Sequence, residues 1–132
     1  WDVLSVNVLM AAEEVLCPVA LQGPALEGLK TFFSYLISTQ KENEALALKY
    51  VLPTLLDRRT RQSGDILRKL NRLFTRQICD PIRSNVRLSE AASAGKSIFE
   101  FSGSATGAAD YEKLARRIID DGIRAKQIPR FF

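Results

Sequence analysis

The feature that most constrains this chain is an alternation. Stretches with helical spacing of apolar residues take turns with short β-branched apolar runs. Val15–Val19 is such a run, suited to a strand buried on both faces, Tyr50–Leu52 reads as a buried strand, and Gln77–Cys79 as a shorter third. Between them Leu26, Leu29, Phe32, Phe33 and Leu36 share one helical stripe, and Ile66, Leu67, Leu70, Leu73 and Phe74 share another. Gly23-Pro24 opens the first helix, with Pro24 tolerated in its first turn. Ser63 is placed to cap the second. This order predicts an α/β sandwich with a largely parallel sheet. Ligands of such sheets collect at loops leaving the C-terminal strand ends, which puts Asp57–Arg61 and Pro81–Asn85 at the working edge.

The flanks are read in the same way. Val3–Met10 is apolar nearly all round and predicts a buried helix with Asp2 near its N-terminus. Gln40–Glu44 is a polar surface connection. Val86–Ala94 is helical in part and stops at Gly95, Ile98–Phe101 is extended or irregular, and Ser102–Gly107 is a small-residue loop. Ala108–Asp120 closes the domain as a helix, and Ile123–Phe132 is a basic and apolar tail. A chain of 132 residues, 46% hydrophobic and 26% charged, matches one soluble domain. Such a chain buries about two-thirds of the surface it exposes when unfolded. No apolar run approaches the roughly 20 residues that span a bilayer. Trp1 in place of Met, with no cleavable leader after it, is read as a missing natural start.

The residue inventory excludes several chemistries. There is no histidine, which removes Ser-His-Asp and Cys-His catalysis and the usual zinc sets. Cys17 and Cys79 lie far apart in apolar contexts and are read as reduced, buried thiols. Neither a GxxxxGK[ST] loop nor a GxGxxG fingerprint occurs. Gly103 and Gly107 are loop punctuation, and Glu13-Glu14 and Asp120-Asp121 are solvated helix ends. Charge is the positive signal. Residues 58–87 carry nine Lys and Arg against two Asp, so this one block exceeds the whole chain's net charge of +4. A polyanion would meet that block first, whereas on the outer face of a helix the same arginines are merely solvated.

Asn85-Val86-Arg87-Leu88-Ser89-Glu90-Ala91, followed by Gly95-Lys96, resembles the C-terminal half of the ParA-type (Soj-like) partition ATPases, deviant Walker P-loop proteins related to MinD. Other matches fall in the same order. Asn7 with Ala11-Ala12-Glu13-Glu14-Val15-Leu16-Cys17-Pro18-Val19 resembles the family's "vNAL-AA-EVL-PV" segment, and Ala25-Leu26-Glu27-Gly28-Leu29 its "ALEGL" helix start. Leu52-Pro53-Thr54 with Asp57-Arg58-Arg59-Thr60 resembles a "T-x-x-D-x-R-T" strand end. Gly107-Ala108 with Tyr111, Leu114 and Ala115 resembles the closing helix. The likeness covers roughly residues 1–120. It departs from the family at Ile82-Arg83-Ser84-Asn85, where "I-P-R-N" is usual, at Ala92, where proline usually follows, and at Ala105, where serine is usual.

The resemblance implies a partial three-layer, P-loop NTPase-like (Rossmann-like) sandwich that lacks the N-terminal P-loop half, over residues 1–122, followed by the tail 123–132. It implies a fragment of a chromosome- or plasmid-partitioning ATPase, using ATP and Mg2+ when intact, with no cofactor and no catalysis expected of this chain alone. On the base side of the nucleotide it places Thr54, Asp57, Pro81, Ile82, Arg83 and Asn85. On a DNA-binding or dimer surface it places Arg59 and Arg87, extended by Arg58, Arg61 and Arg83. It also implies non-specific DNA, a ParB-type protein and a second copy as partners, in the cytoplasm on the nucleoid, without stable membrane association. Two alternatives stay open. One is a naturally short, non-catalytic interaction module. The other is a MinD-like membrane-associated fragment, against which Pro129 and the short tail count.

Overall fold

A computed structural model describes residues 2–127. The chain divides into two compact units, Trp1–Pro81 and Ile82–Phe132.

The first unit is built on two parallel strands. β1 (Glu14–Ala20) pairs with β2 (Ala47–Thr54), with a register irregularity between Val15 and Leu16. Tyr50, Val51, Leu52 and Pro53 are buried in succession, so β2 is covered on both faces and is the buried strand expected at Tyr50–Leu52. β1 departs from that expectation. Among its residues only Val19 is buried, because β1 is hydrogen-bonded along one edge alone among the described residues. The third run contributes a single parallel bridge, Val51 to Ile78, with Val51 N–H donating to Gln77 O and Cys79 N–H to Val51 O.

Between the strands runs α2 (Ala25–Gln40), which begins directly after Pro24. α3 (Arg61–Leu73) follows β2. Leu29 from α2 and Ile66 and Leu70 from α3 meet Val19 and Val51 in one core. The rings of Phe33 and Phe74 stack beside it, 5.5 Å apart. Leu73 lies on the predicted stripe but ends its helix exposed, where the chain turns away. The cap of α3 also differs from expectation. Thr60, not Ser63, caps it by accepting from Ser63 N–H.

α1 (Val3–Ala11) is the helix the sequence predicts, with Asp2 Oδ1 accepting from Ser5 N–H. It is not the buried helix expected. Only Leu9 is buried, while Val3 and Leu4 are 77% and 71% exposed, because nothing in the described residues covers the remaining faces. Its C-terminal carbonyls are tied down by Asn43, whose Nδ2 donates to Leu9, Met10 and Ala12 oxygens. The segment expected to be a plain surface connection therefore fastens α1.

The second unit is helical: α4 (Val86–Ser93), α5 (Ile98–Ser102) and α6 (Thr106–Gln127). α4 ends as expected at Gly95, which takes φ +66°. The expectation of an irregular Ile98–Phe101 is overturned. Ser97 and Glu100 form a reciprocal capping box that starts α5, since Ser97 Oγ accepts from Glu100 N–H and Glu100 Oε2 from Ser97 N–H. α6 starts inside the expected small-residue loop and continues through 123–127, where a tail was expected; residues 128–132 of that tail lie outside the described residues. Gly107 has a packing role beyond loop punctuation. A Cβ there would stand 2.8 Å from the Leu88 side chain.

Candidate functional site

The sequence-predicted site residues divide between the two units, and each set is built by its own local chemistry.

In the first unit β2 ends at Thr54, and the next residue, Leu55, takes φ +55°. A γ-branched residue with no polar side chain is rarely held there, and such strain concentrates at functional positions. The turn that follows is organised by Asp57. Its Oδ1 accepts from Arg59 N–H at 3.0 Å, an Asx-type turn, and its backbone oxygen accepts from Thr60 N–H and Thr60 Oγ1–H. Ser63, fully buried, accepts from Asp57 N–H at 3.0 Å and pins the turn to α3. The Arg59 guanidinium adds two bonds of 3.0 Å to the Asp57 carboxylate. These bonds from Arg59 hold the Asp57 carboxyl below the ordinary carboxylate range and raise Arg59 above its own. The Arg59 side chain is nevertheless 90% exposed. Arg58 and Arg61 flank it, both exposed, and neither forms an ion pair among the described residues. The Thr54 hydroxyl is likewise free of hydrogen bonds among them.

In the second unit Arg83 is committed. Its guanidinium forks onto the Asp110 carboxylate at 2.9–3.2 Å, and its backbone N–H donates to Asp110 Oδ2 at 2.9 Å. Asp110 is buried in α6. Burial pushes its carboxyl up, but the Arg83 side-chain and backbone donors outweigh that and hold it below the ordinary range. Asn85 is committed too. Its Oδ1 accepts from Arg87 N–H, capping α4, and its Nδ2 donates to Thr106 Oγ1 at 2.7 Å. Arg87 pairs with Glu90 at 2.9 Å on the exposed face of α4. Ile82 is buried at 2% exposure, so its side chain serves packing, while Pro81, at the end of the first unit, is half-buried.

Asp110 and Leu55 are not evident in the sequence, and Ser63, expected as a cap, instead accepts from Asp57 N–H. Leu55 carries no compositional signal, and Asp110 lies 27 residues from Arg83 with nothing local to link them. Among the described residues no three His, Cys, Asp or Glu side chains come together to hold a metal ion, and no helix is long and apolar enough to cross a membrane.

No protein-family model matches the chain. Individual proteins do. The chromosome-partitioning ATPase Soj of Treponema pallidum is 34% identical over 119 residues, which is 89% of this chain and 47% of that protein. The sporulation initiation inhibitor protein Soj of Bacillus subtilis is 35% identical over 121 residues, 90% of this chain and 48% of the relative. The chromosome partitioning protein ParA of Caulobacter vibrioides is 33% identical over 120 residues, 89% and 45%. The chain therefore spans about half the length of the curated relatives it matches. Among solved structures, the cobyrinic acid a,c-diamide synthase of Mycobacterium smegmatis with a bound ATP analogue and magnesium matches 99% of this chain and 47% of its own, with a TM-score of 0.71 at 25% identity.

Proposed function

We infer that this chain, related by sequence to the Soj and ParA chromosome-partitioning ATPases over about half of their length, supplies two things to such an ATPase: the base-side nucleotide loops and a basic surface for DNA without sequence preference. The carrying observation is the turn after β2, where a rigid, hydrogen-bonded loop presents Arg58 and Arg61 unpaired and Arg59 almost fully exposed. Guanidiniums held at a loop edge neutralise phosphates and release counterions, which gives affinity without base reading. Arg87 adds a half-screened contact, and Arg83, occupied by Asp110, adds little.

For the nucleotide, Thr54 is the matched position whose polar side chain is not already engaged in a hydrogen bond among the described residues, whereas Asp57 and Asn85 hold their loops in shape. Within the first unit, Thr54 and Asp57 suit the base side of a nucleotide site. They do not by themselves fit a magnesium centre, for want of a ligand cluster among the described residues. On this reading the chain alone does not hydrolyse ATP, and a ParB-type partner, dimerisation and a nucleoid location belong to the ATPase as a whole. A second reading, an interaction module completed by another chain, is favoured by the exposed apolar faces of α1 and the singly bonded edge of β1.

The test is fluorescence anisotropy of the 132-residue chain with several unrelated DNA duplexes, alongside an ATPase assay. Equal affinities that fall steeply with salt, and no turnover, are expected. Salt-independent binding, strong preference for one duplex, or protein-dependent hydrolysis would each refute the reading.

A further inference from the structure

Between α2 and α3 on the first unit lies a groove of about 450 Å³ whose lining is not part of either strand-end loop. Its floor and walls are apolar: Leu26, Leu29 and Phe33 from α2, and Leu73 and Phe74 at the end of α3. The stacked pair Phe33–Phe74 stiffens the floor, and Leu73 stands 66% exposed at the lip. One bank carries Lys69 and Arg72, three residues apart on α3, exposed and without an ion pair among the described residues. The opposite bank carries Lys30, already neutralised by Glu27 at 3.3 Å. The groove thus combines an unfilled apolar trough with two uncompensated positive charges on one side.

We propose that this groove docks an acidic amphipathic helix from a protein partner, with apolar side chains in the trough and carboxylates against Lys69 and Arg72. The two features together select this occupant. Duplex DNA would satisfy the cations but offers nothing to the apolar floor, since its contacts are phosphates and groove edges. A bilayer would need protruding apolar side chains, and here the apolar surface is a concavity with only Leu73 standing out. A helix laid between two helices fills such a trough with residues at i, i+4 and i+7, and its flanking acids find the cationic bank at the right height. Leaving Leu73 and the trough open to water costs hydrophobic free energy that such an occupant recovers.

The probe is a stapled peptide of about 14 residues, stapled because an isolated helix that short is marginal in water, with Leu at i, i+4 and i+7 and Glu along one flank. Binding to the full chain is followed by anisotropy and by amide chemical shifts. Saturable binding tighter than ~1 mM is expected, with shifts confined to α2 and the end of α3. K69E/R72E, two exposed positions, is expected to weaken it about tenfold and to restore binding of the same peptide carrying Lys for Glu. Leu73→Asp, also at the surface, is expected to weaken it independently of charge. No saturable binding, or binding indifferent to both variants, overturns the proposal. So does displacement of the peptide from these positions by duplex DNA or by phosphatidylglycerol vesicles that produce the same shifts, since either would reassign the groove to that ligand.

Discussion

Two arginine–aspartate pairs, one at each candidate loop, share a chemistry and differ in setting. Arg59 and Asp57 are two residues apart, and the arginine is 90% exposed. Arg83 and Asp110 are 27 residues apart, and the Asp110 side chain is 9% exposed. A local, solvated pair is worth little and exchanges partners freely, so Arg59 can leave Asp57 for a phosphate. A pair with one buried member cannot open without stranding a charge, so Arg83 fastens its loop to α6. Sequence places both arginines in one basic block. The fold leaves Arg59 exposed in its own turn and fastens Arg83 to α6.

The largest effect separating the two belongs to Asp110. Asp110→Ala removes the acceptor of the Arg83 backbone N–H and guanidinium bonds that fasten the loop to α6 and is expected to lower stability by about 2 kcal/mol, read as a shift of the urea midpoint. Asp57→Ala, in its solvated turn, should shift that midpoint far less, and equal losses would erase the distinction. Next comes DNA. R58A/R61A is expected to weaken duplex binding about tenfold and to flatten the log–log salt slope by about 1.8, the share of two phosphate contacts. Urea titration should show its stability unchanged. A smaller effect concerns the strained residue: Leu55→Gly relieves a left-handed conformation and is expected to raise stability by about 1 kcal/mol. A lower midpoint would mean that the leucine side chain, not the backbone, matters there.

Acid sharpens the same comparison. The Asp110 carboxyl is held below its ordinary range in the folded chain, so the unfolded state binds protons first as pH falls. Its contribution is therefore full above about pH 4, the unfolded value, and is lost as pH drops through the lower folded value. Wild type and Asp110→Asn should differ in urea midpoint at neutral pH and converge under acid. A constant gap down to pH ~2 would detach the pair from stability.

Much of the frame is legible in the residues. The apolar Tyr50–Leu52 run is a buried strand, Gly95 ends α4, and the Asp57–Arg61 turn sits just after β2. What escaped has a different cause in each case. Val3–Met10 reads as buried because apolar content signals a need for burial, not the presence of a cover. Ile98–Phe101 reads as irregular when its aromatics are weighed and Ser97 and Glu100 are not, although the three-residue spacing of a capping box stands in the sequence. The Arg83–Asp110 pair has no local signature, since its two members stand 27 residues apart.

The division of labour between the loops is tested most directly by duplex binding across a salt series for the wild type, R58A/R61A and Arg83→Ala, each confirmed as folded by circular dichroism. The expected result is a flatter slope for R58A/R61A and a wild-type slope for Arg83→Ala with reduced stability. A wild-type slope for R58A/R61A together with a flattened slope for Arg83→Ala would contradict the proposed DNA contact by the first loop.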